Sequence, residues 1–510
     1  MAGMEAHARS HREQRPGAGA TGKCRYVRHR PEHTVLYQVL EQHAGPFFDH
    51  LSEQGASLPG FVRGEFDDYL RCGRLEAGLL RVKCTACRHE HVVAFSCRKR
   101  GFCPSCGARR MVDGAAYLVD HVLPHVPMAA PAHPARAALV HPCTSRQWVV
   151  TFPWPLRLLF AARPALLTRV LGVVTRALST SVLHRAGLTV RSGDKTGIFT
   201  AIQRFGSNLG LNVHLHMLAP DGAYSFEQHR PRFHGIPAPS HGELERLLDT
   251  LVRRVTRTLM RAGVLVEDSV PGAPGQPYLD LEPDSSLDQL SAAAVRYRIV
   301  VGPLAGRRTM TLHDPTMAMP SAPGKPFTVS RDGFSLNASV ACQSRQRDRL
   351  ERVCRYLLRP PVALERLSVD GDGLVVYELK HPYADGTTHV LFEPLDFIAR
   401  LAALVPRPRG HLLRYHGLFA PNARHRHRVV PEQAPPAVSG AAATSPPPPS
   451  TSLGWMQRLR RAFGIDVSRC PRCGAPLRVL AHITDPRLIA AIVEHLAARD
   501  AAPQFARAPP

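Results

Sequence analysis

Between Leu211 and Met217 the chain runs Leu-Asn-Val-His-Leu-His-Met, apolar at every odd position and polar at every even one. Such alternation marks a half-buried β-strand, because successive side chains leave a strand on opposite faces. Leu211, Val213, Leu215 and Met217 are expected to face a core, with Asn212, His214 and His216 lining the other side. Two imidazoles two residues apart on one strand face form half of a divalent-metal site. In a chain with 27 histidines the triplet says little alone. Two other constellations give it weight.

The first is made of cysteines. Cys84-x2-Cys87 is followed after fifteen residues by Cys103-x2-Cys106, the spacing of a four-thiolate tetrahedral zinc site. Each Cys-x2-Cys closes a tight turn that aims two thiolates at one ion, and Pro104 and Gly107 supply turn chemistry in the second. Four thiolates leave no open position, so the expected zinc is structural. Cys72, Cys97, His89 and His91 lie close enough in sequence to form a second site. Far downstream, Cys470-Pro-Arg-Cys473-Gly repeats the knuckle with no partner pair nearby; either His482 and His495 complete it or the pair binds no metal. Arginines around the first cluster, among them Arg98, Arg100, Arg109 and Arg110, suit contact with a DNA backbone.

The second constellation surrounds a tyrosine. Over residues 343–358, Leu350, Val353, Cys354 and Leu357 fall at i, i+3, i+4 and i+7 and form the buried stripe of a helix. At about 100° per residue, Tyr356 projects away from that stripe on the side of Arg345, Arg349 and Arg352. Arg355 is its neighbour, and Pro360 and Pro361 end the helix just beyond. A tyrosine on an arginine-rich face suits attack on a DNA phosphate, since guanidinium groups stabilise phosphate charge.

The elements that position these groups follow from pattern and composition. A chain of 510 residues has room for several domains. The formal charge of +24 points to a polyanionic partner, most simply nucleic acid. No apolar run approaches the roughly 18–20 residues that span a bilayer, and no signal-peptide core is visible, so a cytosolic protein with reduced cysteines and no membrane partner is expected. Residues 1–30 read as a disordered basic tail and 31–123 as a helical zinc-binding, DNA-binding unit. Residues 124–147 read as an extended connector, 148–430 as a mixed α/β catalytic domain, 431–452 as a proline-rich linker, and 453–498 as a small knuckle-bearing unit. Within the large domain the pattern predicts a helical stretch at 156–187, strands near 197–205, 211–219 and 296–312, a helix at 241–262, and a hairpin at 366–392. The fold class is α+β.

Several segments together resemble the rolling-circle transposases of the IS91 insertion-sequence family, including its common-region branch. Phe102-Cys-Pro-Ser-Cys-Gly-Ala-Arg-Arg110 is similar to its zinc-binding domain. Gln203-Arg-Phe-Gly-Ser-Asn-Leu-Gly-Leu-Asn-Val-His-Leu-His-Met217, with Asp221-Gly222, is similar to its metal-binding core. Arg355-Tyr-Leu-Leu-Arg-Pro-Pro361 and Arg414-Tyr-His-Gly417 continue the likeness. The resemblance implies an HUH endonuclease: a ferredoxin-like antiparallel sheet carrying the two histidines, with the nucleophile on a nearby helix. It further implies cleavage of single-stranded or hairpin DNA with Mg²⁺ or Mn²⁺, through a 5′-phosphotyrosine and a free 3′-hydroxyl. His214 and His216 would be the metal ligands and Tyr356 the nucleophile. Founding members carry a second tyrosine four residues before the matching one, where this chain has Arg352.

Gln203 is the candidate third ligand. If 206–210 is a five-residue hairpin loop, Ile202 rather than Gln203 faces His214, and a one-residue register shift reverses that. A plasmid replication initiator or relaxase would use the same chemistry, and a non-catalytic zinc-containing DNA-binding regulator would keep the same motifs. The oligomeric state is open.

Overall fold

The strand bearing His214 and His216 lies inside the largest sheet of the fold. A computed structural model describes residues 30–87, 89–124, 144–190, 193–227, 230–267, 277–279, 285–317, 325–343, 345–430, 469–470 and 472–501. The expected tail at 1–29, the connector at 125–143, the proline-rich linker and residues 453–468 of the knuckle unit lie outside these residues.

Two helices open the chain, α1 (Val35–Glu53) and α2 (Gly60–Arg71). Thr34 starts the first by accepting the Tyr37 amide with its side chain. A hairpin follows, β1 (Leu79–Cys84) and β2 (Glu90–Ala94), and then α3 (Pro104–His121), with Pro104 at its first position, where a missing N–H costs nothing.

The large domain begins with β3 (Thr144–Thr151), α4 (Trp154–Ala162) and α5 (Pro164–Arg185). The helical stretch expected at 156–187 is thus two helices, divided at Arg163 because Pro164 can begin a helix but not continue one. By length and composition α5 could cross a membrane, which the absence of a long uninterrupted apolar run did not anticipate; 56% of its most apolar window is buried, as in a core helix. Next come β4 (Gly197–Phe205), β5 (Leu211–Pro220), β6 (Gly222–Glu227), β7 (Arg230–Gly235) and α6 (His241–Met260). Short pieces follow: β8 (Leu265–Glu267), β9 (Pro277–Leu279), α7 (Ser286–Val295) and β10 (Met310–His313). The strands expected over 296–312 therefore reduce to β10 and one isolated bridge between Arg298 and Arg308.

The remaining elements are β11 (Thr328–Arg331), β12 (Phe334–Asn337), β13 (Ala341–Gln343), α8 (Arg347–Leu358), β14 (Leu367–Val369), β15 (Val375–Glu378) and β16 (Thr387–Phe392). The chain closes with α9 (Pro394–Leu404), β17 (Leu413–Gly417), α10 (Arg426–Val429), β18 (Leu477–Ile483) and α11 (Pro486–Ala501). The expected hairpin at 366–392 is a meander, β14–β15–β16, in a four-stranded sheet edged by β10.

The main sheet has seven strands in the order β11-β12-β3-β5-β4-β17, with β13 also pairing β3, and every pairing is antiparallel. On one face Leu211, Val213, Leu215 and Met217 join Trp148, Val150 and Ile202 against α4, α5 and α6, as the alternation requires. Burying each such side chain contributes about 1.5–3 kcal/mol. The opposite face carries Phe199, Ala201 and Leu218 and is covered by α3 and α8 through Leu118, Val119, Leu350 and Leu357. The histidine face is therefore partly roofed by α3 and α8. At the far end of β5, Asp221 accepts Arg146 Nε and Nη2 at 2.8–3.1 Å in a buried ion pair. Gly222 follows with a φ of 155°, where a Cβ would strike the His234 carbonyl.

Candidate active site and metal centres

Position 216 faces Val149 of β3 and Ala201 of β4, and position 214 faces Thr151 and Gln203. Both imidazoles are buried, with their Nε2 atoms 3.0 Å apart. His214 Nδ1–H donates to the Asn212 carbonyl at 2.8 Å, and Gln147 Nε2 donates to His216 Nδ1 at 2.8 Å. Burial pushes both histidine pKa values well below the ordinary value, and the Arg359 charge adds to this at each. Both rings are therefore neutral at neutral pH, the form that binds metals.

The register puts Gln203 opposite His214. Beyond the bend Phe205 faces Leu211, which by simple counting would bring Ile202 to His214; an irregularity between Gln203 and Phe205 absorbs one residue and turns Gln203 onto the histidine face. Gln203 Nε2 donates to the Leu357 carbonyl at 2.8 Å and the Tyr356 carbonyl at 3.4 Å. Its Oε1 is buried without a hydrogen-bond partner. One amide thus ties the last turn of α8 to the sheet and leaves an oxygen over.

The Tyr356 ring stands edge-on to His216, with centroids 5.8 Å apart, and is 42% exposed. With His214, His216, Gln147, Arg349 and Arg352 it lines a cleft of about 610 Å³. Arg345 is exposed but precedes the helix: residues 341–343 pair with β3, so α8 starts at Arg347 and not at 343. Arg355 turns inward, half-buried and 3.9 Å from the buried Glu351. Two cations that sequence reasoning missed lie over the Tyr356 ring, Arg359 at 4.8 Å and Lys380 at 5.7 Å. Arg359 stands within the Arg-Tyr-Leu-Leu-Arg motif and was open to notice; Lys380, on the meander, had no sequence signal.

The cysteines correct the spacing argument. Cys84, Cys87, Cys103 and Cys106 do not form one quartet. Instead Cys72, Cys97, Cys103 and Cys106 converge, and Cys84 and Cys87 converge with Cys470 and Cys473, each set with its sulfurs within 4.8 Å of one another. The β1–β2 hairpin explains the exchange. Its turn carries Cys84 and Cys87, whereas Cys72, Cys97 and the start of α3 lie at its open end, where the Gly73 amide donates to the Phe95 carbonyl. Six residues of strand separate the two ends by about 17–20 Å. His91 lies mid-strand on β2 opposite Val82 and joins neither set. His482 and His495 also join neither; the downstream knuckle is completed by Cys84 and Cys87. Both sets are suited to hold structural zinc.

The first cluster reaches the tyrosine helix through α3. Cys103 caps α3 and Cys106 lies in its first turn, while Arg347 of α8 donates to the Val119, Leu123 and Pro124 carbonyls at the other end. Between these ends the helices touch at glycines: a Cβ on Gly107 would lie 2.5 Å from Pro360, and one on Gly114 2.7 Å from Leu358. Gly107→Ala is therefore expected to lower stability by about 1–3 kcal/mol through overpacking against a rigid ring. Denaturant unfolding checks it, and an unchanged midpoint would mean that the two helices meet loosely there.

Comparison with known families gives two matches. Residues 40–130 match the family described as "Transposase zinc-binding domain", and residues 197–427 match the one described as "Putative transposase". The first span contains the Cys72–Cys106 cluster and α3; the second contains β4, β5 and α8, with Gln203, both histidines and Tyr356. No curated protein and no solved structure matches the chain. A zinc-binding transposase domain followed by a transposase domain on one chain matches an IS91-family transposase, a protein that acts on DNA.

Proposed function

We propose that the chain cleaves and rejoins single-stranded DNA as an HUH endonuclease, with the β4–β5 hairpin as its ferredoxin-like core and Tyr356 as its nucleophile. The observation that carries this reading is the pair of buried imidazole nitrogens, His214 Nε2 and His216 Nε2, beside Tyr356, with Gln203 opposite His214 in the β4–β5 register. Ligands about 2.1 Å from one ion and at right angles lie about 3.0 Å apart, the separation of the two imidazole nitrogens. Two neutral nitrogens, with water and phosphate oxygens in the remaining positions, would hold Mn²⁺ or Mg²⁺. A divalent cation held there would draw charge from the scissile phosphate.

The protein's own groups do the rest. Turning the Gln147 amide by half a rotation lets its oxygen accept His216 Nδ1–H, which frees His216 Nε2 to bind. Arg349 and Arg352 hold the strand in the cleft, and Arg359 and Lys380 add positive charge where the phosphate meets the phenol. Tyr356 Oη bonds to phosphorus as the P–O3′ bond breaks; the phenol gives up its proton and the 3′ oxygen gains one. Rejoining runs the exchange in reverse with a new 3′-hydroxyl.

The direct test incubates the chain with single-stranded DNA from an element end and Mn²⁺, followed by a denaturing gel. A protein-linked 5′ product supports the reading, and intact DNA with bound protein favours the regulator. Arg345→Ala, Arg349→Ala and Arg352→Ala together are expected to flatten the dependence of log binding constant on log salt by about 2, at about 0.7 for each single-strand phosphate no longer neutralised. A slope unchanged in the triple variant would move the DNA path elsewhere.

A further inference from the structure

We propose that Cys84, Cys87, Cys470 and Cys473 hold a second structural zinc ion, and that this ion clasps the C-terminal unit onto the N-terminal one. The knuckles come from places 383 residues apart in sequence. Cys84 Sγ lies 3.5 Å from Cys473 Sγ, and Cys87 Sγ lies 3.5 Å from Cys470 Sγ. Zinc–thiolate bonds of about 2.3 Å in a tetrahedron put neighbouring sulfurs about 3.8 Å apart, while a disulfide would need about 2.05 Å. The other cluster shows the same spacing, 3.5–3.7 Å between its sulfurs.

Backbone around the four sulfurs is built for thiolates. The Cys87 amide points at Cys84 Sγ at 3.5 Å, and the Arg472 amide at Cys470 Sγ at 3.4 Å. Gly474, at a φ of 76°, donates to the Cys470 carbonyl and closes the second knuckle. Beside the cluster β18 pairs with β1 from Cys84–Leu477 to Leu79–Ile483, and the Thr85 amide and hydroxyl both donate to the Pro476 carbonyl at 3.1 Å. The result is a zinc ribbon whose two knuckles come from opposite parts of the chain. Neither knuckle has four ligands of its own, so the ion and the three-stranded sheet form together or not at all.

The two clusters differ in exposure. Cys72, Cys103 and Cys106 are buried, whereas Cys87 and Cys473 are exposed. The clasp zinc is thus expected to leave first. The test uses the full chain: zinc per molecule is counted by native mass spectrometry during graded EDTA treatment, with pulses of iodoacetamide and peptide mapping at each step. Two zincs are expected at the start. Loss of the first should make Cys84, Cys87, Cys470 and Cys473 reactive together while Cys72, Cys97, Cys103 and Cys106 stay protected. Alkylation of Cys470 and Cys473 in two-zinc protein, or in a different step from Cys84 and Cys87, would overturn the clasp. So would a single starting zinc with those four thiols already reactive. Independently, Cys473→Ser should carry one zinc and expose Cys84; two zincs in that variant would also refute it.

Discussion

Replacing Tyr356 with Phe is expected to remove the covalent protein–DNA product, with a loss of about 10³-fold or more in nicking, because only the attacking oxygen is deleted. DNA affinity should stay within about twofold, since Arg349 and Arg352, the proposed phosphate contacts, are untouched. The ring meets His216 and Arg359 through its edge and face, so the Phe variant keeps both neighbours and should fold. Tyr377 and Tyr415 are poor substitutes. Tyr377 is fully buried with its hydroxyl on Arg366, and Tyr415 packs against Phe199 with burial pushing its pKa up to about 12. Mass spectrometry of the trapped adduct decides the matter. DNA found on another tyrosine, or nicking that survives in the Phe variant, would refute the assignment.

Comparable in size is the expected effect of removing both imidazoles. The His214→Ala and His216→Ala double variant should lose cleavage by about 10³-fold and lose Mn²⁺ binding, read by electron paramagnetic resonance, while still binding DNA. Gln147→Ala probes the same centre through the imidazole it orients, where loss of such a partner typically costs about 10–100-fold in metal affinity. Because Gln147 acts through the His216 imidazole, its loss should raise the Mn²⁺ concentration needed for half-maximal nicking and leave the saturated rate nearly intact. Full nicking in the double variant would remove the histidines from the chemistry.

How much of this was legible in the sequence differed with the kind of signal. The alternation from Leu211 to Met217 placed the strand and its buried face correctly, because period-two patterning is a direct consequence of strand geometry. The helix of Tyr356 was legible from its apolar spacing, apart from the start that β13 takes over. Gln203 was not decidable, since one residue absorbed within β4 determines which side chain meets His214, and local sequence carries no mark of that. The cysteine pairing failed for a related reason. Spacing along the chain treated the segment between the two pairs as slack, whereas it is a stiff hairpin that holds them apart, and the true partners of Cys84 and Cys87 lie beyond any local window.

The seam between α3 and α8 bears on how such chains can exchange parts. Zinc-binding modules are often pictured as interchangeable grips, free to be traded between proteins to alter what they hold. Here the module's last helix fits the segment that bears Tyr356 through two glycines facing Pro360 and Leu358, with Arg347 fastening the far end. A recombination breakpoint in the interval 125–143 would leave one half of that fit with each parent. Viable hybrids would then require Gly107 and Gly114 from one donor to meet equally close-fitting residues from the other. Inheritance of the two matched units along this lineage is thereby linked through the seam between α3 and α8.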